Sequence, residues 1–586
     1  MKIGIKSLEY FQKWLVFGII IGVVSGFGAL LFYYSIIYAQ ALFLGGIAGV
    51  HLPVPVGEGT QHFVQGNRFL IPISLLLGGL LSGFLVYKFA PEAEGHGTDA
   101  MIDAFHRKRG KIRRRVPIIK ALASAITIGS GGSGGREGPT AQISAGISSF
   151  LSDLLKLDYK DRRIAVLVGT GAGIGTIFKA PIGGALLAVE VPYKRDFETG
   201  ALFPAIVASA VGYTIFGFIV GFQPIFGYYL GAFNPTDLPL YAALGVITGL
   251  FVIFYVRIFY GMQKLFKHLK IRNHVKPMIG AIGVAAIALF FPEVMGVGYG
   301  WVQIFFNLGL NSLPTYGLPL LLIVTLLPFA KIFATSFTIS SGGSGGVFAP
   351  GIFIGASIGL LFGLMVNYAV PTFGISVVPF VIIGALAFMG AAGKVPISVL
   401  LMVTEMTGSM QLLPAAMVAV ALSYLVSGSH TIYKSQVPTR RDSPAHKNEY
   451  SMPMMENIKL RNMIFEDIAI RQGSTYRYAE ERMKALGVED LPVVTNDKER
   501  RLLGRVSLID IKDKHHGHIR TVKKEKLWRV EYTETAKEAL TAISNNNTTW
   551  APVFHRGKYV GVITLERIDK DYNRIIDREM INNPNY

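Results

Sequence analysis

Cysteine is absent from all 586 residues of the sequence. This absence excludes disulfide bonds, thiolate metal sites and cysteine nucleophiles, and it leaves the redox compartment unmarked. Charged residues are also few, at 16%, whereas hydrophobic residues make up 51% of the chain. Soluble proteins carry about a quarter charged residues, so this composition is typical of a membrane protein.

Acidic residues are scarcer than basic ones, and the formal net charge is +19. Nucleic-acid binding is one interpretation of such an excess. The positive residues, however, are concentrated in short stretches beside apolar runs, most densely at 106–115. Short basic loops beside membrane spans stay in the cytoplasm, and we favour this explanation. The first apolar run, 14–38, is too long for a signal peptide and predicts the first membrane helix.

Motifs for metal-assisted hydrolysis and phosphate binding are missing as well. The sequence has no HExxH and no GxxxxGK[ST] pattern. Residues 129–134 match GxGxxG, but they lie between apolar segments without a βαβ context, so this match is weak. We therefore predict a protein that is not an enzyme and that requires no cofactor.

Apolar stretches, such as 164–189, recur between residues 12 and 428. Some reach the roughly 20 residues that a spanning helix needs, whereas others are short and interrupted by Gly or Pro. Short, broken segments indicate helices that end inside the membrane and line a cavity. We predict a transmembrane domain at 1–429, a polar linker at 430–455 and a soluble domain at 456–586.

The membrane part contains an internal repeat. The sequence SGGSGG at 130–135 recurs at 341–346, and further matches follow at nearly the same offset. The matched pairs include Lys120 with Lys331, Pro139 with Pro350, Lys179 with Lys394 and Glu190 with Glu405. Two homologous halves with interrupted helices in matching places indicate a central binding site. An inverted arrangement would direct both loops at one point near the midplane.

Each glycine-rich loop ends in a proline followed by helix-compatible sequence, at Pro139 and Pro350. Proline suits the first turn of a helix, and the preceding glycines leave backbone N–H groups unshielded. A helix N-terminus carries about half a positive charge, so two such ends facing each other can bind an anion without a buried lysine or arginine. The alternative is that the glycines serve only close helix packing.

Glu137 lies inside the first loop, in the sequence GREGP. A carboxylate at membrane depth is costly and is therefore a functional candidate. Its ionised side chain can occupy the anion site, and its protonated form can leave, because it competes with the anion for the same N–H donors. Phe348 occupies the matching position of the second loop, so one half alone supplies a gate. The alternative is an ion pair between Glu137 and Arg136 at the helix start.

These residues resemble motifs of the CLC chloride channel and transporter family. GREGP at 135–139 is similar to the family's G[KR]EGP motif, GVFAP at 346–350 is similar to its GxFxP motif, and residues 91–99 lie where the family has its GSGIP loop. The resemblance covers about residues 12–440. It implies an all-α polytopic membrane domain of inverted repeats, a homodimer with one pore per subunit, and movement of chloride across the cell membrane.

The resemblance also implies roles for individual residues. Glu137 is similar to the gating glutamate. Tyr433 falls where the family's pore tyrosine offers its hydroxyl, although an anchor at the membrane interface is the alternative. The residues implied in anion binding are His96, Gly97, Arg136, Gly138, Val347, Phe348 and Tyr433.

Two positions depart from the family pattern. His96 stands where the family has the serine that holds the central anion. An imidazole can donate an N–H and gains positive charge when protonated, so we hypothesise that His96 lines the inner pore and makes anion affinity pH-dependent. The alternative is that His96 only caps the next helix or faces solvent. Val191 stands where exchangers often carry an inner proton-accepting glutamate, which favours a passive chloride channel over a chloride/proton antiporter.

The soluble region resembles a cytoplasmic α+β pair of CBS modules, at 491–510 and 551–567. Alternating apolar residues predict paired short strands with flanking helices. The resemblance allows an adenine-nucleotide site with Ser507, Asp510 and Thr564, although Arg567 replaces the expected acid in the second module. A purely structural dimerisation module is the favoured interpretation.

Overall fold

A computed structural model describes residues 9–231, 233–371, 375–446, 455–456, 458–496, 500–511, 517–519, 528–546 and 548–582. The chain divides into two compact units, Met1–Ala445 and His446–Tyr586. The described part of the first unit is built from helices, and that of the second combines helices with two small sheets.

Six helical segments in the described part of the chain are long and apolar enough to cross a bilayer. They are Tyr10–Ala48, Arg68–Phe89, Thr199–Val220, Pro235–His268, Leu320–Ser340 and Phe348–Ala369. Shorter apolar helices accompany them, at Val116–Gly129, Pro181–Glu190, Val378–Gly393, Pro396–Thr407 and Leu413–Ser427. This mixture of full spans and short helices is the one predicted from the apolar stretches.

The α-helices of the first unit follow in chain order, and α1 continues as a π-helical segment over Ala41–Ala48. They are α1 (Tyr10–Gln40), α2 (Ile71–Phe89), α3 (Thr98–Arg107), α4 (Val116–Gly129), α5 (Glu137–Leu154), α6 (Tyr159–Ile177), α7 (Pro181–Glu190), α8 (Leu202–Val220), α9 (Leu238–His268), α10 (Lys276–Ala288), α11 (Tyr299–Phe306), α12 (Leu320–Ser340), α13 (Phe348–Ala369), α14 (Val378–Gly393), α15 (Pro396–Thr407) and α16 (Leu413–Ser427).

The apolar stretch 164–189 is two helices rather than one. Lys179 lies in the left-handed region, with φ +52°, and Pro181 then opens α7. The second half repeats this break, since Lys394 has φ +55° and Pro396 opens α15. A left-handed residue ends a helix and a proline favours a new start, so the same local signals place both breaks.

A local two-fold axis relates the two halves of the first unit. Ser133 Oγ lies 2.9 Å from Thr335 Oγ1. Their repeat equivalents make the reciprocal contact, with Ser124 Oγ 2.9 Å from Ser344 Oγ. A contact that recurs between equivalent residues with the partners exchanged is the mark of two-fold symmetry. The predicted internal repeat is therefore confirmed as a pair of symmetry-related halves.

Two buried lysines extend this symmetry to a second pair of loops. The Nζ of each lysine donates to two backbone carbonyl oxygens at 2.7–3.3 Å. The acceptors are Ala93 and Gly95 for Lys120, and Val294 and Gly296 for Lys331. The two loops share the pattern PExxGxG, at 91–97 and 292–298. They are therefore equivalent parts of the two halves.

Glu190 and Glu405, which the repeat also matches, each cap a helix of the opposite half. The Glu190 carboxylate accepts hydrogen bonds from the backbone N–H groups of Ile397 and Ser398, at 3.2 and 2.8 Å. Glu405 makes the same contacts at the start of α7, at 3.1 and 2.8 Å. Because each carboxylate satisfies amides that a helix start leaves unpaired, the two glutamates fasten the halves together.

Loss of either cap will destabilise the membrane domain. We expect Glu190→Gln and Glu405→Gln each to lower the free energy of unfolding by about 1–3 kcal/mol, the usual effect of leaving buried hydrogen-bond partners unsatisfied. Thermal denaturation of the purified protein in detergent measures this effect. Glu92→Gln serves as the control, because Glu92 forms a partly exposed ion pair with Arg113, and such pairs contribute little. Equal melting temperatures for all three variants and the unsubstituted protein would contradict the cap.

The first unit continues beyond residue 429, into the segment predicted to be a linker. Ile432 and Tyr433 are buried, and Gln436 Nε2 donates to the carbonyl oxygen of Gly393 at 2.8 Å. These contacts hold a polar, proline-containing segment against the helices, so composition alone misplaces the end of the unit. Residues 447–454 of the predicted linker lie outside the described residues.

The second unit contains two three-stranded sheets of identical topology. In each sheet the first strand is parallel to the second, and the second is antiparallel to the third. The strands are β1 (Ile470–Arg471), β2 (Asp490–Val494), β3 (Leu502–Ser507), β4 (Val530–Glu531), β5 (Trp550–His555) and β6 (Lys558–Thr564), and the helices are α17 (Tyr476–Leu486), α18 (Leu508–Ile511), α19 (Ala536–Asn545) and α20 (Leu565–Asn582). The predicted paired strands with flanking helices are confirmed.

Candidate functional site

The two glycine-rich loops contact each other through their backbones. The N–H of Gly135 donates to the carbonyl oxygen of Gly346 at 2.7 Å, and the N–H of Gly346 donates to that of Gly135 at 2.5 Å. Helix α5 begins at Glu137 and helix α13 begins at Phe348. Both helix N-termini therefore start next to this contact, and their unpaired N–H groups form the positive environment that the sequence predicted.

The Glu137 side chain lies between these two helix ends and is 2% exposed. Its Oε1 accepts a hydrogen bond from the hydroxyl of Tyr299, at 2.5 Å. Its Oε2 lies beside the second loop, because a Cβ built on Gly135 would meet Oε2 at 2.2 Å and the amide nitrogen of Ala349 at 3.1 Å. The carboxylate thus occupies the space at the first turn of α13, where helix N–H groups favour a negative charge.

Arg136 forms its ion pair with Glu58 rather than with the adjacent Glu137. Its Nη1 lies 3.0 Å from Glu58 Oε2, and its Nη2 binds Glu58 Oε1. The guanidinium also lies 5.4 Å from the ring centre of Tyr33 and 5.5 Å from that of Tyr299. The alternative explanation, an ion pair between Glu137 and Arg136, is therefore wrong. An anion that bound to Arg136 would have to share the guanidinium with the Glu58 carboxylate.

Gly97 and Gly138 bring the loop 91–97 into backbone contact with the start of α5. A Cβ on Gly138 would meet the carbonyl oxygen of His96 at 2.0 Å. A Cβ on Gly97, which has φ +84°, would meet the carbonyl oxygen of Gly138 at 2.5 Å. Both glycines are thus required for close packing, and any contact that they make with an anion comes from their backbone.

His96 is buried, with 8% of its surface exposed. Its Nδ1 accepts a long hydrogen bond, 3.5 Å, from the backbone N–H of Asp99 in the first turn of α3. The alternative that His96 faces solvent is wrong, and the contact with Asp99 engages one of its two ring nitrogens. With Nδ1 as acceptor, the neutral imidazole carries its proton on Nε2, which is the nitrogen left for an anion.

Tyr433 lies against His96, with 5.4 Å between the ring centres. The tyrosine is 2% exposed, so the alternative of an anchor at the membrane interface is wrong. Its ring packs against the backbone at Gly393, where a Cβ would lie 3.3 Å from Tyr433 Cε2. Two residues that are far apart in sequence, and that the family resemblance placed in one pore, are thus neighbours in space.

Two cavities flank this layer of residues. A cavity of about 520 Å³ is lined by Arg136, Tyr299 and the loop before α2. A second cavity, of about 380 Å³, is lined by His96, Gly97 and the loop after α2. The span Arg68–Phe89 separates the two loops, and at 1.5 Å per residue it is about as long as a bilayer core is thick. The cavities therefore open toward opposite sides of the membrane, with Glu137 between them.

The positions of the loops show that the two halves are inverted. The loop 91–97 lines the second cavity, beside Lys108 of the basic stretch, which places that cavity on the cytoplasmic side. Its repeat equivalent, 292–298, contributes residues to the first cavity, which lies on the opposite side of the membrane and is the outer cavity. Equivalent loops on opposite sides of the membrane are what an inverted repeat produces.

The side chain of Val191 is fully buried in the apolar core of the first unit. It is the residue that follows α7, and its carbonyl oxygen accepts a hydrogen bond from Gln436 Nε2 at 3.0 Å. An isopropyl group cannot accept a proton. At this position the chain therefore offers packing and a backbone hydrogen bond instead of an acid.

Sequence reasoning missed Glu58 and Tyr299, which complete the site around Glu137. Glu58 ends a short 3-10 helix, Val56–Glu58, and reaches Arg136 only through the tertiary fold, so no spacing in the sequence signals it. Tyr299 had a usable signal. The PExxGxG repeat makes it the equivalent of Thr98, the residue after the GHG sequence that aligns with a pore loop.

The residues predicted to bind an adenine nucleotide form hydrogen bonds with their neighbours in the second unit. Asp510 Oδ2 accepts from Ser507 Oγ at 2.8 Å. Thr564 Oγ1 donates to Glu466 Oε2 at 3.2 Å, and Arg567 pairs with Asp571 at 3.1 Å. A nucleotide that used Asp510 or Thr564 would have to compete with these contacts, and its binding stays a prediction.

Comparison with known families gives two matches. Residues 78–428 match the model of the voltage gated chloride channel family. Residues 519–572 match the CBS domain model. The first match contains both glycine-rich loops, the loop 91–97 and Tyr299, so it includes Glu137 and the two helix ends beside it.

Individual relatives cover most of the membrane unit. An uncharacterized protein of Methanocaldococcus jannaschii is 32% identical over 67% of this chain and 92% of its own length. The H(+)/Cl(-) exchange transporter ClcA of Cronobacter sakazakii is 29% identical over 63% of this chain and 81% of its own. A crystal structure of a CLC-type fluoride/proton antiporter aligns with a TM-score of 0.61 and 22% identity, over 74% of this chain and all of that one, which shows a shared fold.

Proposed function

Because this chain belongs to the voltage-gated chloride channel family, we propose that it is a gated channel that conducts chloride passively. The chain is an integral membrane protein of the CLC fold with a C-terminal CBS domain. Anion transport is the activity of the family. The observation that supports a gate most strongly is the position of the Glu137 carboxylate, which lies at the first turn of α13 between the two cavities.

The gate works by competition for one positive site. The ionised carboxylate of Glu137 holds the place of an anion beside the Ala349 amide and blocks the path between the cavities. Protonation removes its charge, so the side chain leaves and a chloride ion takes its place at the helix ends. Partial charges of helix ends and amides bind the ion weakly enough for release, which conduction requires. The nearest full positive charge, Arg136, is neutralised by Glu58.

The inner half of the path supports conduction rather than exchange. Val191 supplies no acid that could pass protons between Glu137 and the cytoplasm. His96 and Tyr433 would meet the anion with an N–H and a hydroxyl group. We propose that this pair forms the inner anion site, that the subunits assemble as a homodimer with one path each, and that chloride is the main permeant ion.

A chloride/proton antiporter is the second candidate function. The relative from Cronobacter sakazakii carries the name of an exchange transporter, and it shares 29% of its aligned residues with this chain. An antiporter would need another inner proton acceptor, because Val191 cannot serve.

Flux measurements on the purified chain in liposomes distinguish the two candidates. Liposomes loaded with chloride are diluted into low-chloride buffer, and valinomycin is added so that potassium balances the charge. We expect chloride to leave without proton uptake. Proton uptake in fixed proportion to the chloride released, abolished when the gradient is removed, would contradict the channel and establish the antiporter.

A further inference from the structure

The hydroxyl of Tyr299 is the one side-chain group that donates a hydrogen bond to Glu137 in the described part of the chain. We propose that Tyr299 is a latch that holds the ionised Glu137 in its blocking position and thereby sets the pH at which the path opens. This inference rests on the proposed gating function of Glu137, and it assigns a regulatory role to a residue that no motif singled out.

The geometry fixes the donor in place. Tyr299 is 2% exposed and is the first residue of α11. The ring of Phe226 meets it edge-on at 5.6 Å. The next residue, Gly300, is pressed against the preceding loop, because a Cβ there would lie 1.9 Å from the carbonyl oxygen of Pro53. A hydroxyl on so constrained a ring keeps its direction toward Glu137 without losing further side-chain entropy.

The strength of the latch depends on the charge of Glu137. A hydrogen bond from a phenol to a carboxylate is charge-assisted and roughly twice as strong as one between neutral groups. Tyr299 therefore holds the ionised gate firmly and the protonated gate weakly. Release of the carboxyl group follows its protonation, and the hydroxyl opposes that protonation by stabilising the ionised form.

Charged groups around the latch belong to four segments, and each has a hydrogen-bond or ion-pair partner. Lys331 of α12 packs against Gly298, beside Tyr299, and donates to the carbonyl oxygens of Val294 and Gly296 at 2.8 and 3.3 Å. Arg136, at the start of α5, lies over the ring of Tyr299 and is paired with Glu58. Lys179 donates to the carbonyl oxygen of Gly57 at 2.7 Å, which holds the segment that carries Glu58. Because the cations are engaged by these partners, the Glu137 carboxylate loses one side-chain contact on opening, the hydroxyl of Tyr299, together with the backbone N–H groups at the start of α13.

The repeat explains why the latch exists on one side only. Tyr299 and Thr98 are equivalent, and each follows a glycine with positive φ, Gly298 at +93° and Gly97 at +84°. Thr98 begins α3 on the cytoplasmic side, whereas Tyr299 begins α11 and lines the outer cavity. A phenol reaches farther from the backbone than a threonine hydroxyl, so the second half, which carries Tyr299, can reach Glu137 and the first half cannot.

Replacing Tyr299 with phenylalanine tests the latch, because it removes the hydroxyl and keeps the ring. We expect Tyr299→Phe to raise chloride efflux at neutral pH by about tenfold, since hydrogen bonds to charged groups have effects of this size. The pH of half-maximal flux should rise by about one unit, which corresponds to the same tenfold change. A residue with a merely structural role would change the amount of active protein and leave the pH profile in place.

Two comparisons make the test specific. Tyr33 lines the same outer cavity and its ring centre lies 5.4 Å from the guanidinium of Arg136, so Tyr33→Phe is the matched control and should keep the unsubstituted profile. In a Glu137→Gln background, Tyr299→Phe should add nothing, because the charge that it holds is gone. Efflux and a pH profile of Tyr299→Phe equal to those of the unsubstituted protein would overturn the latch. If Glu137→Gln itself leaves flux and pH response unchanged, the proposed gate fails and the latch fails with it.

Discussion

Glutamine in place of Glu137 will leave the anion path open at every pH. The amide keeps the size of the carboxylate but carries no charge, so it cannot compete with chloride for the N–H groups at the start of α13. A hydrogen bond to a charged group contributes about 1.5–3 kcal/mol, and its loss changes the ratio of closed to open gates by about tenfold or more. We therefore expect Glu137→Gln to give efflux at neutral pH at least about tenfold above that of the unsubstituted protein.

The pH profile is the sharper readout of this substitution. At a fixed inner pH, efflux through the unsubstituted protein should rise as outer pH falls, because protonation removes the blocking charge, whereas efflux through Glu137→Gln should not vary with outer pH. Glu92→Gln is the control, since Glu92 lines the cytoplasmic cavity and pairs with Arg113 away from the two helix ends. A Glu137→Gln profile that superimposes on the unsubstituted one would show that this carboxylate is not the gate.

Serine in place of His96 will change how the inner site depends on pH. The Nε2–H of the neutral ring offers one hydrogen bond, and a protonated ring adds a full positive charge beside Tyr433. A charge-assisted hydrogen bond is roughly twice as strong as a neutral one. Burial lowers the pKa of His96 to about 4, so the ring is neutral at physiological pH. We expect chloride affinity on the cytoplasmic side to increase by about fivefold only as inner pH falls toward 4, and we expect His96→Ser to remove this dependence. Concentration dependence of the current at several inner pH values measures it.

A second histidine supplies the control for this prediction. His51 lines the outer cavity and is exposed, so His51→Ser should leave the cytoplasmic pH dependence intact. His96→Ser should also shift the permeability ratio of chloride to nitrate, because a hydroxyl replaces the imidazole in the path. Unchanged affinity, selectivity and pH dependence in His96→Ser would contradict the assignment of His96 to the pore.

The glycine-rich loops and the gate were predictable because their signals are local. The first loop packs its signals into ten residues: a glycine run, a carboxylate and a proline in the first turn of the helix. The repetition of the glycine run identified the second loop. The meeting of the loops at Gly135 and Gly346 followed from an inverted repeat. Direct hydrogen bonds between the two backbones confirm that expectation.

Contacts between distant segments were not predictable in the same way. The sequence places Arg136 beside Glu137, and adjacency suggested a pair, but Glu58 reaches the guanidinium through the fold. The match of Glu190 with Glu405 was visible, whereas their use as caps depends on which helix start lies within 3.2 Å. The end of the first unit was misplaced because polar residues such as Gln436 are buried with hydrogen-bond partners there.

The reversal potential of the current through the purified chain in a planar bilayer tests passive conduction past Glu137 most directly. A chloride gradient is held fixed while a proton gradient is imposed and then reversed. We expect the reversal potential to stay at the chloride equilibrium potential in all three conditions, for the unsubstituted protein and for Glu137→Gln. A reversal potential that moves with the proton gradient in the unsubstituted protein, and ceases to move in Glu137→Gln, would show coupled exchange and contradict a channel.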